Sequence, residues 1–372
     1  MAKLSYTELK TLVASYVDAN KIASDTFTAT YDNIVGLTDK IGKIVTLDTI
    51  YTIDKLARFD GEFLEFGKTI EEWNEDLILP QNYDSTGANT LAPNDPTYRP
   101  VAWSYTLGKK VLKTTLRNND VERAVNNIVE LVSIVAQKTK KLQDSYAVFK
   151  YQLKREILGK IIDKCVTIMG TNTAYQVSTA YTVGTLLKNS STIGIVVKAI
   201  TSTSYATINT WALNVANGYI IPLDLIASID APTDTSSGEA FIKQVKEDIE
   251  KASDLNEGNS FNGNSLGATE GLVLIVKQGV IPSIEVDTLA GAFNQDRLAI
   301  GVETIVVKDF GSTSSKAYAI LMDSRGFRAH NTYNALRDQA NADGDFINLV
   351  QHTENTAFIS NNTFIKIYVP TA

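Results

Sequence analysis

Gly263-Asn264-Ser265-Leu266-Gly267 matches the G-x-S-x-G pattern in which a nucleophilic serine stands at a strained turn. The chain's two histidines, His330 and His352, follow it and supply the general base that acyl transfer from such a serine requires. The same mechanics demand a strand before the serine and a helix after it, so that the hydroxyl clears the backbone. Here a stretch rich in Asn and Gly precedes Ser265, and the apolar run 272–276, which reads as a strand, follows. That order does not make a nucleophile elbow. A flexible glycine loop is the simpler reading, and a serine hydrolase using Ser265 is the alternative of a different class.

Other chemistry comes equally close and stops. Gly67-Lys68-Thr69 looks like the end of a phosphate-binding loop, but the upstream glycine falls on Glu62, an acid that repels phosphate. Asn341-Ala342-Asp343-Gly344-Asp345 has the core of a calcium loop, yet Gln339 and Val350 occupy the positions that need Asp and Glu. It reads as an ordinary turn. Cys165 is the single cysteine and lies on an apolar helical stripe, where an inert core thiol is expected. No catalytic, cofactor or metal residue is therefore assigned.

What must position any site is set by composition first. The chain has 372 residues, 44% hydrophobic, enough for about two packed domains. Net charge is −7 with no basic tract, so sequence-independent binding to a phosphate backbone is not indicated. An acidic particle is repelled by DNA and can surround it without adhering. One cysteine excludes an intrachain disulfide framework, and Met1-Ala2-Lys3-Leu4-Ser5 opens onto a polar amphipathic segment, so cytosolic synthesis without a signal peptide is expected. No apolar run reaches the roughly 18 residues of a membrane span.

The dominant element is a helical pattern over 119–169. Leu142, Tyr146, Phe149, Leu153, Ile157, Ile161 and Cys165 continue a stripe begun at Val121, in steps of three and four broken at Thr139. Such a helix is roughly 75 Å long, which suits an elongated building block better than a compact enzyme. Asn119 and Glu122 form its capping box, and Gly159 is its weak point. Before it, 58–118 reads as an extended β-ribbon with a polar tip at 80–100. The outgoing arm carries Glu62, Glu65, Glu71, Glu72, Glu75 and Asp76. The return arm carries Arg99, Lys109, Lys110, Lys113 and Arg117 and no acid. Antiparallel pairing places Glu62 near Arg117 and Glu65 near Lys113, each pair contributing about 0.2–1 kcal/mol. A bulge is expected where the apolar phase shifts at Phe63 and Leu64. An isolated ribbon is marginal in water, so this one needs a surface to lie on. Phe66, Trp73 and Trp103 are its candidate anchors, and Glu71, Glu72, Lys109 and Lys110 its candidate partners across a subunit boundary.

The first helix, within 1–57, is too short to fold alone; it docks on a neighbour or covers its own core. After 169 come two strands within 174–200, then an α/β pattern over 206–322. Its helices are 207–217 and 238–253, its strands 271–276, 304–307 and 317–322, with a loop at 256–267 and a short helix at 283–293. Residues 323–372 are β-rich.

This order of elements resembles the HK97-fold major capsid proteins of tailed double-stranded DNA bacteriophages. Pro282-Ser283-Ile284-Glu285-Val286-Asp287, Ala290-Gly291-Ala292-Phe293-Asn294, Arg297-Leu298-Ala299 and Asp323-Ser324-Arg325-Gly326-Phe327-Arg328 look like that family's wording. The resemblance implies an α+β HK97-like capsid fold: N-terminal arm 1–57, E-loop 58–118, peripheral domain with spine helix 119–205, axial domain 206–322, and terminal strands 323–372 returning to the peripheral domain. It implies a virion protein assembled in the host cytoplasm as hexamers and pentamers into an icosahedral shell around double-stranded DNA, without sequence-specific DNA binding or membrane contact. Portal and scaffolding proteins are its implied partners. The 256–267 loop is expected near the capsomer axis or as a mobile surface loop. A cellular nanocompartment shell of the same fold is the other alternative, although those chains look shorter and lack such an axial insertion. Negative-stain images separate the classes: closed shells or capsomer rings fit a shell protein, whereas a monomer whose esterase activity disappears in Ser265→Ala fits the hydrolase.

Overall fold

The computed structural model describes residues 54–64, 70–72, 101–103, 105–117, 128–202, 209–266, 271–281, 301–311 and 317–371. The first helix, the ribbon tip, the helix start at Asn119 and the 283–293 helix lie outside them. In chain order come a 3-10 turn (Ala57–Phe59), β1 (Ile70–Glu72), β2 (Val101–Trp103), β3 (Tyr105–Arg117) and helix α1 (Ile128–Met169). Next are β4 (Leu186–Asn189), β5 (Thr192–Val196), α2 (Trp211–Ala216), β6 (Ile220–Pro222), β7 (Ile226–Ser228) and α3 (Thr235–Ala252). The rest is β-rich: β8 (Leu255–Glu257), β9 (Asn264–Leu266), β10 (Leu272–Lys277), β11 (Glu303–Val307), β12 (Ala319–Asp323), β13 (Phe327–Asn341), β14 (Phe346–Ile359) and β15 (Ile365–Val369).

A five-stranded sheet, β11-β10-β12-β15-β7, is buried on both faces. The two-residue period of a strand sorts its side chains. Val273, Ile275, Ile320, Met322, Ile365 and Ile367 meet α1 through Leu153, Ile157, Ile161 and Cys165. Leu272, Leu274, Val276, Leu321 and Tyr368 meet α3 through Phe241, Ile242 and Val245. Near-continuous apolar strands are the composition such a double-covered sheet requires. Helix α3 starts with a capping box, Asp234 accepting from the Ser237 backbone N–H at 2.8 Å. Strand β15 lies between β12 and β7 in this sheet.

Helix α1 runs 42 residues, about 63 Å, straight through Gly159. Thr139, which breaks the apolar stripe, is itself buried. The helix fixes the segment ahead of the ribbon. Lys154, fully buried, donates to Asp54 Oδ2 at 2.5 Å and to Leu56 O at 3.1 Å. Its ammonium also lies 2.7 Å from Asp60 Oδ1, an ion-pair contact shared with Lys150 at 3.2 Å but not aligned as a hydrogen bond. Leu56 and Phe59 enter the core, Phe59 stacked on Phe327 with ring centroids 4.2 Å apart. One residue further along α1, Arg155 pairs with Asp309, and Gly311 follows at φ +71°. A Cβ on Gly311 would come within 2.9 Å of the Glu156 Cα, so glycine sets how closely this loop meets the helix.

The expected ribbon pairing is corrected. Strand β3 pairs along its length with β14, placing Lys113 opposite Val350 and Arg117 opposite Phe346. Residues 60–64 run beside β13 on the far edge, with Gly61 N–H donating to Ala329 O at 2.9 Å and Leu64 N–H to Asn331 O at 3.0 Å. The β13–β14 hairpin therefore separates the two arms, and Glu62 does not meet Arg117. The hairpin offers long ladders of hydrogen bonds, which a free two-stranded ribbon cannot match. Beyond it the arms do meet: Ile70 pairs with Trp103, Glu71 with Ala102 and Glu72 with Val101.

Lys154→Met is expected to lower unfolding stability by about 3 kcal/mol, because Asp54 and Asp60 lose their shared cation. Chemical denaturation of the unassembled subunit reads this out, and an unchanged midpoint would refute the role given to the lysine.

Candidate subunit-interface surface

Where the two arms rejoin, their base is latched to the loop between β14 and β15. Glu72 Oε1 accepts from the Ser360 hydroxyl at 2.5 Å, and Oε2 accepts from the Asn361 backbone N–H at 2.8 Å. Asn361 O takes the Asn262 backbone N–H at 3.0 Å, and Asn262 Nδ2 donates to Asn362 Oδ1 at 2.6 Å. Helix α1 contributes Lys164, whose Nζ donates to Asn361 Oδ1 at 2.5 Å and lies 4.0 Å from the Phe261 ring centroid. Burial lowers the Lys164 ammonium to about 8, partly opposed by the negative charge of Glu72. Next to it, burial pushes the Cys165 thiol up to about 12. The thiol is inert, as its position on the helical stripe implied.

Glu72 was a candidate for pairing across subunits, and its carboxylate is engaged within its own subunit. The 256–267 segment was expected as an axis-proximal or mobile loop. It is instead a hairpin, β8 against β9, whose connection packs inside: Asn259, Ser260, Phe261 and Gly263 are buried, and Ile365 N–H donates to Asn259 O at 2.7 Å. Gly258 at φ +96° lets the turn pass Pro222 O, which a Cβ would approach to 2.4 Å. The asparagine-rich strings at 259–264 and 361–362 carry the signal for this contact in the linear chain.

The remaining candidates divide by exposure. Glu71 and Lys110 are exposed, as is Lys109, which stands opposite Glu354 in register with its Nζ 5.3 Å from the Tyr333 ring centroid. Val111 and Phe63 present apolar surface, at 51% and 54% exposure. Trp103 is placed by its backbone in β2, and Phe66 and Trp73 lie outside the described residues. Two open depressions, about 580 and 260 Å³, lie on α1 and share Val148 in their lining.

Ser265 sits within the short strand β9, opposite Asn256, and the next described element is another strand, β10. His330 Nδ1 is 2.9 Å from Glu62 O, and His352 lies in mid-ladder opposite Ala335 and Val111. The Asn341–Asp345 string is the hairpin turn between β13 and β14, with Gly344 N–H donating to Asn341 Oδ1 at 2.8 Å.

Residues 3–369 match the family of Phi29-like phage major capsid proteins. The chain belongs to that family. Its fold is the α+β HK97-like capsid fold, similar to chains in solved phage structures. One comes from the capsid of Staphylococcus phage Andhra, with 10% identity, TM-score 0.54, 88% of this chain and 86% of that one covered. Another comes from the structure of head fiber and inner core protein gp22 of native bacteriophage P68, with 12% identity, TM-score 0.53, and 84% and 83% covered. No curated protein sequence matches the chain. The major capsid protein forms the phage head shell; it is a structural protein and not an enzyme. The hydrolase and nanocompartment alternatives fall with this assignment.

The buried, high-pKa thiol of Cys165 is expected to resist maleimide in the folded subunit and to label fully after denaturation. Stoichiometric labelling of the native protein within minutes would contradict that burial.

Proposed function

We propose that this capsid protein assembles as hexamers and pentamers into an icosahedral shell around double-stranded DNA, each subunit gripping its neighbour with the projecting ribbon, 58–118. In this reading 1–57 is the arm, 119–205 the peripheral domain with the spine helix, 206–322 the axial domain, and the strands of 323–372 return to the peripheral domain. Portal and scaffolding proteins are the partners that a closed, filled head requires.

The observation that carries the ribbon contact is the separation of its arms. With β3 paired to β14 and residues 60–64 held beside β13, Glu62 is kept apart from Lys113 and Arg117 within the subunit. Glu71 on one arm and Lys109 and Lys110 on the other face outward. Such exposed pairs contribute about 0.2–1 kcal/mol each and set register. Phe66, Trp73 and Trp103 supply the larger apolar share, since buried aromatics dominate hot spots at about 2 kcal/mol or more each. Many modest contacts repeated over a lattice hold a shell without one tight site. The acidic balance, −7, keeps the wall from adhering to the packaged DNA.

Deleting residues 80–100 is expected to leave a folded subunit that forms no closed particles by negative stain, and normal particles from the deleted chain would refute the ribbon contact. Reversing both exposed lysines, Lys109→Glu with Lys110→Glu, is expected to weaken assembly several-fold, with partial recovery when Glu71→Lys is added. Raised salt should weaken wild-type association in the same assay.

A further inference from the structure

Between Gly170 and Asp224 lie 53 residues whose only charged side chains are Lys188 and Lys198, a density far below the chain's 21%. Charged side chains normally collect at the surface. In this lobe the exposed positions carry amides, hydroxyls and small apolar groups instead, among them Asn172, Gln176, Thr179 and Asn217. Lys188 is half-buried in β4, and Lys198 has its Nζ 5.8 Å from the Tyr219 ring centroid. Val177, Leu213 and Val183 are left 61%, 41% and 36% exposed. The lobe is also rigid. Strands β4, β5 and β6 form one sheet, with Leu187, Val196, Ile200 and Ile220 as its small core. On that core Tyr175 stands between Trp211 and Tyr181, with ring centroids 5.4 and 6.0 Å away, and its hydroxyl accepts from Asn214 Nδ2 at 3.0 Å. All three rings are half-buried and keep part of their surface open. The loop 176–180 is exposed throughout yet pinned at both ends. Tyr175 N–H donates to Lys188 O at 2.9 Å, Tyr181 N–H to Ile200 O at 3.0 Å, and Gln176 N–H to the Tyr181 hydroxyl at 2.8 Å. Ser178 within it holds φ +55°, a left-handed conformation that is uncommon for serine. An exposed loop already fixed in one shape loses little further entropy on binding.

We propose that this lobe binds a neutral polysaccharide and faces outward from the shell. A charged partner finds almost no counter-charge here, so recognition has to come from stacking and from neutral hydrogen bonds. Sugar rings supply both: C–H faces that lie on Tyr and Trp rings, and hydroxyls that exchange hydrogen bonds with amide and hydroxyl side chains. Surfaces rich in Tyr, Ser and Asn combine rigid amphipathic rings with adaptable polar groups in the same way. Tyr175, Tyr181 and Trp211 are the stacking rings, and Gln176 and Thr179 on the pinned loop are the polar contacts beside them. The other occupant an uncharged, partly apolar surface suits is a second copy of this chain, and the test separates the two. The lobe acts apart from the ribbon and does not depend on the ribbon contact.

The test is retention of assembled wild-type particles on beads carrying dextran, starch, mannan or galactan, with heparin beads and bare beads as controls. Retention on at least one of the neutral polysaccharides is expected to exceed that on bare beads at least tenfold. Added salt should leave it unchanged, because no ion pairs form. Val177→Asp with Thr179→Asp alters only exposed side chains, so particles should still form, and retention is expected to fall at least tenfold. Gln176→Glu, a change of charge at nearly constant shape, is the second variant and should lower retention several-fold. Retention on none of the four polysaccharides overturns the proposal, as does retention that salt abolishes or that survives both variants. If the double variant folds but yields no particles, the lobe faces a second copy and not a glycan, and the proposal is likewise overturned. Should the double variant not fold, Gln176→Glu and the wild-type salt series decide.

Discussion

An ammonium buried in the apolar half of a long helix constrains everything placed around it. Lys154 neighbours Leu153, Ile157 and Leu158 and has no exposure, so its charge must be met by other segments of the same chain. Leaving it bare would cost several kcal/mol. Asp54, Asp60 and the Leu56 carbonyl converge on it, and the segment that carries them cannot leave the helix without stranding the charge. Phe59 is thereby delivered onto Phe327, and the chain departs along β13 at a fixed point. Arg155 holds a second remote segment through Asp309. Two consecutive helix residues thus anchor the root of the ribbon and the loop after β11.

From that fixed departure the sheet topology follows. Residues 60–64 occupy one edge of the β13–β14 hairpin and β3 occupies the other. Strand β3 is a long edge in the described sheet, and it carries Lys109, Lys110, Lys113 and Arg117. Charged residues along an exposed edge restrain indiscriminate strand pairing while still admitting an acidic partner. A shell subunit needs this combination, because its neighbours are copies of itself and uncontrolled pairing would compete with the lattice.

Interior polar groups hold the remaining parts in register. Lys366, almost fully buried, pairs with Asp224, which also contacts Lys251, and Lys251 reaches Asp248. The Tyr368 hydroxyl donates to Asp248 Oδ2 at 2.9 Å, and its pKa is raised, first by burial and then by that carboxylate. Together with the Glu72 latch, these groups join elements distant in sequence at defined angles. Apolar contacts supply most of the cohesion but are non-directional; the polar ones choose among packings.

Local regularities were legible from sequence alone: the stripe of α1 and its end at Met169, the helix that became α3, the strands β10, β11 and β12, the inert position of Cys165, and the missing elbow at Ser265. Each depends on neighbours within a few residues, where periodicity and propensity act. The family was legible as well, through the order of its elements. Pairing across long separations was not. That β3 would choose β14 over the outgoing arm, that β15 would insert beside β12, and that Glu72 would bind Ser360 and Asn361 were settled only by the tertiary structure. Several partners satisfy a strand edge or a carboxylate equally well in a linear reading, and only competition for the same hydrogen-bonding groups within one packed core selects among them.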